Sequence, residues 1–210
     1  SKRISSAVSE KAAALFADVA KTGTAARLPL VNLSLGALKR LSAPQFANFS
    51  QTLNWLIQSD GKLELFEFVL QKIVQRHLAP GFAEARPAAV QFYTLKPLVP
   101  DCALILSALA NVGSDDAAQI QKAFAAGAPY LRAPDNSGLN LSPRENCDVT
   151  KIGESLDKLA LAAPQIKKNL IEACVHVVGA DGVIQESEAE LLRAVADTLD
   201  CPMPPLLAAV

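Results

Sequence analysis

The sequence predicts an all-α protein, a helical bundle containing two related helical hairpins, and three observations carry that reading. Apolar residues recur at helical spacing along nearly the whole chain, strand-like alternation between turn signals is scarce, and Ala and Leu are abundant while aromatics make up only 5% of the residues.

The elements follow in order. Ile4 to Ala20 reads as an amphipathic helix with Val8, Ala12, Leu15, Phe16 and Val19 on one face, able to pack or to lead in from another domain. A second helix covers Leu28 to Leu41. A third starts at Ser42, whose side chain can cap free amides, with Pro44 tolerated in the first turn, and it runs to about Gln58. After the turn Ser59-Asp60-Gly61 comes a helix from Leu63 to His77 with Leu63, Phe66, Leu70, Ile73 and Val74 inside. Phe68 and Val69 widen that face, so this helix should be largely buried. Residues 80–100 hold several prolines and read as helix fragments joined by turns. Apolar helices follow at 103–111 and 116–125, and 127–145, with Ala-Pro-Asp-Asn-Ser-Gly at its centre, is the clearest loop. Helical periodicity returns from Val149 to the Ala162-Ala163-Pro164 boundary, and two long helices cover 165–179 and 185–199 before Cys201-Pro-Met-Pro-Pro ends the last. The expected division is a lead-in helix at 1–26 and one all-α domain at 27–207. Within the latter lie a first repeat at 27–80, an insert and loop at 81–148, and a second repeat at 149–207.

Bulk properties narrow the function. A length of 210 residues with half of them hydrophobic suffices for a sizeable core. A net charge of −1, from 20 basic and 21 acidic residues, lacks the footprint of a nucleic-acid or anionic-lipid binder. The most lipid-like segment, 102–112, is flanked by Asp101 and by Asp115-Asp116, so no membrane span is expected. The start, Ser1-Lys2-Arg3, is no signal peptide, and we expect sequence upstream of it. Cys102, Cys147, Cys174 and Cys201 form no C-x-x-C pair and read as thiols in a reducing compartment, a Cys174–Cys201 disulfide being the alternative.

Self-similarity is the most informative signal. Leu41-Ser-Ala-Pro-Gln45 matches Leu161-Ala-Ala-Pro-Gln165, and each opens an apolar helix ending in an Asp-Gly turn. From that turn the copies share Asp-Gly-x-(Leu/Ile)-x-x-x-Glu: Asp60, Gly61, Leu63 and Glu67, then Asp181, Gly182, Ile184 and Glu188. Gly frees the backbone, Asp accepts amides that begin the next helix, the Leu or Ile points into the core, and Glu complements the helix dipole. The same string is the second half of an EF-hand loop, but its first half is missing: Leu56 and Gln58, or Val177 and Gly179, stand where oxygen ligands belong. The cation alternative is a looser Ca or Mg site on Asp60, Glu64 and Glu67, or on Asp181, Glu186 and Glu188.

Gly179-Ala-Asp-Gly-Val-Ile-Gln-Glu-Ser-Glu188, and less closely Gln58-Ser-Asp-Gly-Lys-Leu-Glu-Leu-Phe-Glu67, resemble the TerB-like family named for tellurite-resistance proteins. That resemblance implies helical modules linked to metal stress and often attached to other domains. The phrases Arg27-Leu-Pro-Leu-Val, Leu63-Glu-Leu-Phe-Glu-Phe-Val-Leu-Gln and Leu191-Leu-Arg-Ala-Val-Ala-Asp-Thr-Leu-Asp-Cys-Pro-Met-Pro-Pro resemble the C-terminal region of bacterial membrane zinc metallopeptidases of the CAAX-prenyl-protease-like type. In those proteins zinc and catalysis belong to an upstream H-E-x-x-H helix. This chain has only His77 and His176, in no such motif, so no catalytic residue carries over and no cofactor is expected in it.

The remaining candidates have ordinary readings. His176 is expected as a hydrogen-bonded core residue, His77 at a helix end, and Trp55 in the core. Ser155-Leu-Asp-Lys158 matches S-x-x-K without its companion motifs and reads as chance. Neither a Walker loop nor a dinucleotide fingerprint is present. The expectation is a non-catalytic accessory, regulatory or protein-interaction domain of a membrane peptidase, at the cytoplasmic side of the bacterial inner membrane, partnered by the upstream peptidase domain or another protein. The alternative is a stand-alone divalent-cation-binding stress-response module.

Overall fold

The computed structural model describes residues 6–22, 26–57, 65–82, 89–133 and 138–201, and within them all side chains but those of Ser6, Ala7, Leu28, Leu65, Phe66, Ala79 and Pro80. Among these residues there are nine α-helices and no strand, the all-α class that the periodicity predicts. They are α1 (Ser6–Lys21), α2 (Arg27–Leu38), α3 (Ala43–Ile57), α4 (Leu65–Phe82), α5 (Val99–Gly113), α6 (Ala117–Gly127), α7 (Val149–Leu159), α8 (Pro164–Val178) and α9 (Glu186–Thr198). None is long and apolar enough to cross a membrane. The chain forms two compact units, Ser1–Leu63 with Val74–Glu84, and Glu64–Ile73 with Ala85–Val210.

Among the described residues of the first unit the buried apolar side chains are Leu35, Ile57, Val74 and Leu78. Helix α3 opens as expected at Ser42: the Ser42 amide donates to Gln45 Oε1 at 2.8 Å, and the Gln45 amide donates back to Ser42 Oγ at 3.4 Å. Trp55, expected in the core, is 48% exposed. It precedes buried Ile57 by two positions, about 200° around a helix, so the two cannot share a face. Helix α4 does not end at His77 but runs to Phe82, whose ring stacks on Phe46 with centroids 4.2 Å apart.

In the second unit α5 packs against α6, α7, α8 and α9. Ten of its fifteen residues are buried, including Cys102, Ile105, Leu106 and Leu109. Such a helix is apolar all round because it has neighbours all round. Leu156, Leu159, Leu170, Cys174, Leu191 and Val195 meet it from the later helices, each at most 1% exposed. The N-terminal part of α4 brings Phe68, Val69 and Ile73 into this core, as its widened apolar face predicts. Lys72 is buried too: its Nζ donates to Asp157 Oδ1 at 2.5 Å and lies 5.8 Å from the centre of the Phe68 ring.

The two Ala-Pro-Gln repeat phrases are built differently. Before α8 no side chain caps the helix; Pro164 fills its first turn, and the Ala163 amide donates to the Phe92 carbonyl at 2.8 Å. The Gln91 amide in turn donates to Leu161 O at 2.9 Å, so the proline-rich segment is pinned by a two-sided backbone bridge. At the other end α9 stops before Cys201. Asp200 takes a left-handed φ of 62°, and the Cys201 amide donates to Ala196 O at 2.9 Å, closing a Schellman turn.

Two glycines carry opposite expectations. A Cβ on Gly127 would sit 2.5 Å from Val177 Cγ2 and 2.6 Å from the Ala173 carbonyl, so α6 and α8 touch through its bare backbone. Gly36, inside α2, has nothing within 4 Å of that position. Gly127→Ala should therefore lower stability by about 1–3 kcal/mol, while Gly36→Ala should raise it by about 0.5–1 kcal/mol. Denaturant unfolding of both variants checks the pair.

Candidate functional site

The site is built where α5 ends. The last carbonyls of a helix have no partner inside it, and side chains from neighbouring elements can supply one. The Arg144 guanidinium, from a 3-10 turn at Arg144–Asn146, donates to the Asn111 carbonyl and, at 2.9 Å, to Ser114 O. Gln185 Nε2 donates to Gly113 O at 2.7 Å. Positive charge there also complements the negative end of the helix dipole, and Asp115 Oδ1 lies 2.8 Å from the same guanidinium.

Residues 138–148 form a strap over the same end. Asn111 Nδ2 donates to Ser107 O at 2.8 Å and to Ser142 O at 3.1 Å, while the Ser142 amide donates to Ser107 Oγ at 2.9 Å. The expected 127–145 loop is thus structured in its described parts: Gly127 completes α6, 128–131 continue as a 3-10 turn, and 138–145 are tied to α5. Asp148 then caps α7, its Oδ1 accepting from the amides of Thr150 and Lys151 at 3.0 Å. Those amides hold its carboxyl below the usual range. Between strap and helix opens a cleft of about 570 Å³ lined by Ala108, Asn111, Arg144, Cys147, Ile152 and Gln185, among others.

The second Asp-Gly turn joins α8 to α9. Gly182 takes φ 81°, a conformation that side chains resist, and Asp181 Oδ1 accepts from the Val183 amide at 2.9 Å. That amide lies ahead of α9, so Asp181 shapes the turn and does not cap the helix. The cap is Gln185, in a reciprocal box with Glu188, whose Oε2 accepts from the Gln185 amide at 2.9 Å. Ile184, expected to point into the core, is 38% exposed. Residues 183–185 are not helical, so Ile184 lies on no helix face; the corner is closed by Glu188 and Leu191.

Of the six carboxylates singled out as cation ligands, Asp60 and Glu64 lie outside the described residues, and Glu186 stands in the first turn of α9. Glu67 stands in the first turn of α4. Asp181 and Glu188 line one small niche beside Gly113, but each already accepts a backbone amide. Among the described residues no three His, Cys, Asp or Glu side chains gather as a metal-binding group. A hard cation takes six to eight oxygens, so the described pair alone is an incomplete donor set. Burial pushes the Glu188 carboxyl above the usual range and nearby Asp181 adds to this, against the Gln185 amide that favours the anion.

Other reactive side chains are committed to structure. Asp101 accepts from Ser155 Oγ at 3.1 Å and from Lys158 Nζ at 2.5 Å, so the S-x-x-K pair clamps a carboxylate between α5 and α7. All four cysteines are free thiols. Burial pushes Cys102 up to about 12 and raises Cys174 further, and Cys147 is also raised by burial, which leaves each a poor nucleophile. His176 is not a core residue: the outer side of α8 leaves it exposed, with its ring stacked on Tyr130 at 3.6 Å between centroids. Sequence reasoning missed Arg144, Asn111, Gln185 and Asp101. The only local hint was a buried helix whose last turn carries Asn111, since a polar side chain there needs partners from elsewhere.

Comparison with known proteins finds a TerB domain at residues 139–203, where the chain matches the family model described as Tellurite resistance protein TerB. The match spans the strap, α7, α8, the Asp-Gly turn and α9. No curated protein matches the chain, and no solved structure does.

The raised Glu188 carboxyl has a sign that can be tested. Its ionised form destabilises the fold above the raised folded value, and this cost disappears as pH falls through that value toward the ordinary glutamate range. Glu188→Gln keeps the acceptor oxygen without the charge. Calorimetric Tm values should therefore show the variant ahead near pH 7 and the difference closing as pH approaches 5; parallel curves would remove the burial argument.

Proposed function

We propose, from the TerB domain at residues 139–203, that the chain is a non-catalytic accessory module that works by holding another protein. One observation carries this reading: the first unit leaves large apolar side chains in water. Leu30 and Leu33 on α2 are 40% and 79% exposed, and Trp55 and Leu56 on α3 are 48% and 50% exposed. Single exposed apolar residues are ordinary, but two such pairs on successive helices, one including the only Trp of the chain, are what a docking surface offers. The second unit, by contrast, commits its polar and ionisable groups to helix ends and ion pairs, which supports a structural rather than a chemical role.

The partner in this reading is the zinc peptidase portion of a bacterial membrane metallopeptidase of the CAAX-prenyl-protease-like type, at the cytoplasmic face of the membrane. Its support is the likeness of the 27–31, 63–71 and 191–205 phrases to the C-terminal region of such proteins. The module would then position or regulate a catalytic centre that lies in its partner.

A photo-reactive residue placed at Leu33, in cells of the source bacterium, should crosslink to a peptide of a zinc metallopeptidase, and Trp55→Ala should reduce that yield several-fold. Crosslinks confined to unrelated proteins, or a yield indifferent to Trp55, would sink the proposal.

A further inference from the structure

Helix α1 poses a physical problem that the described residues of its own unit leave open. Every described side chain from Val8 to Lys21 is exposed, with Val8 at 58%, Leu15 at 63%, Phe16 at 71% and Val19 at 50%. A helix of 16 residues is marginal in water without packing, and its stability must come from covering an apolar face.

The pattern on that face describes what can cover it. Val8, Ala12, Leu15 and Val19 are spaced by four, three and four, the a and d positions of a heptad, and Phe16 widens the face on one side. Laid antiparallel on a second copy of itself, the seam is self-complementary. Val8 then opposes Val19 of the other copy, and Ala12 opposes Leu15, a small residue facing a large one at both central layers. A parallel pairing would set Ala12 against Ala12 and leave a void there.

Charge selects the same arrangement. Lys11 and Asp18 both flank the seam on one side, seven residues apart, so the antiparallel two-fold places each Lys11 beside the Asp18 of the other copy. Asp18 has only an exposed pair to Lys21 at 3.2 Å within its own helix, an interaction weak enough to be exchanged. On the opposite flank Phe16 is free to lie across the neighbouring helix.

We propose that α1 is a self-association element through which two copies of this chain pair as an antiparallel two-helix coil. The inference uses a different surface from the docking pairs on α2 and α3 and stands or falls without them. Two heptads make a small interface, so the dimer should be reversible and concentration-dependent.

The test is sedimentation of the 210-residue chain over a range of concentrations. We expect a monomer–dimer equilibrium that Leu15→Asp abolishes. Lys11→Glu and Asp18→Lys should each weaken self-association by about three- to tenfold at low salt, since either places like charges opposite each other twice. An equimolar mixture of the two single variants should recover a dimer, because every pair across that interface is again opposite in sign, and the double variant should recover one alone. A chain that stays monomeric at all concentrations, or a dimer that ignores the single charge reversals, or a mixture that fails to recover, would overturn the proposal.

Discussion

The second unit depends on the burial of α5 and on the way its C-terminal end is closed. A helix flanked by four others can be almost wholly apolar, which makes it a strong source of stabilisation through area removed from water. Toward its C-terminal end Val112, Gly113 and Ser114 are half-buried, and the last carbonyls have no partner inside the helix. The fold delivers side-chain donors to them there. It does so from two remote places, Arg144 on the strap and Gln185 at the start of α9.

That closure ties the strap and the start of α9 to α5. The strap is held by Asn111 and Ser107 of α5, and it then delivers Asp148 as the cap of α7. The turn after α8 sets Gln185 at the right height, and the box between Gln185 and Glu188 keeps it there. Gly113 leaves room for this: a Cβ on it would lie 2.1 Å from Glu188 Oε1. The TerB match begins within the strap and ends just past α9, so the family-like segment includes both donors that close α5 but not α5 itself.

The first unit has a different character. Among its described residues few are buried, and its helices present Leu30, Leu33, Trp55 and Leu56 together with Val8, Leu15, Phe16 and Val19 of α1. In the second unit the ionisable groups with strong partners, Lys72 with Asp157 and Lys158 with Asp101, join helices within the unit.

What the sequence determined by itself is the part governed by local physics. Helical period identified the helices, Ser42 predicted the start of α3, the apolar width around Phe68 and Val69 predicted burial, and the Ala-Asp-Gly turn identified the family-like hairpin. These depend on residues within one or two turns of each other, so they are legible in a window. Tertiary structure decided what depends on distant neighbours: that Ser155 and Lys158 clamp Asp101, that Arg144 and Gln185 close α5, and that His176 and Trp55 face water. It also decided that Ile184 gives its place at the corner to Glu188. The reason is that burial and hydrogen-bond satisfaction belong to a site in space, and residues more than thirty or fifty positions away supply the partners here, as Arg144 does for Asn111 and Ser155 for Asp101.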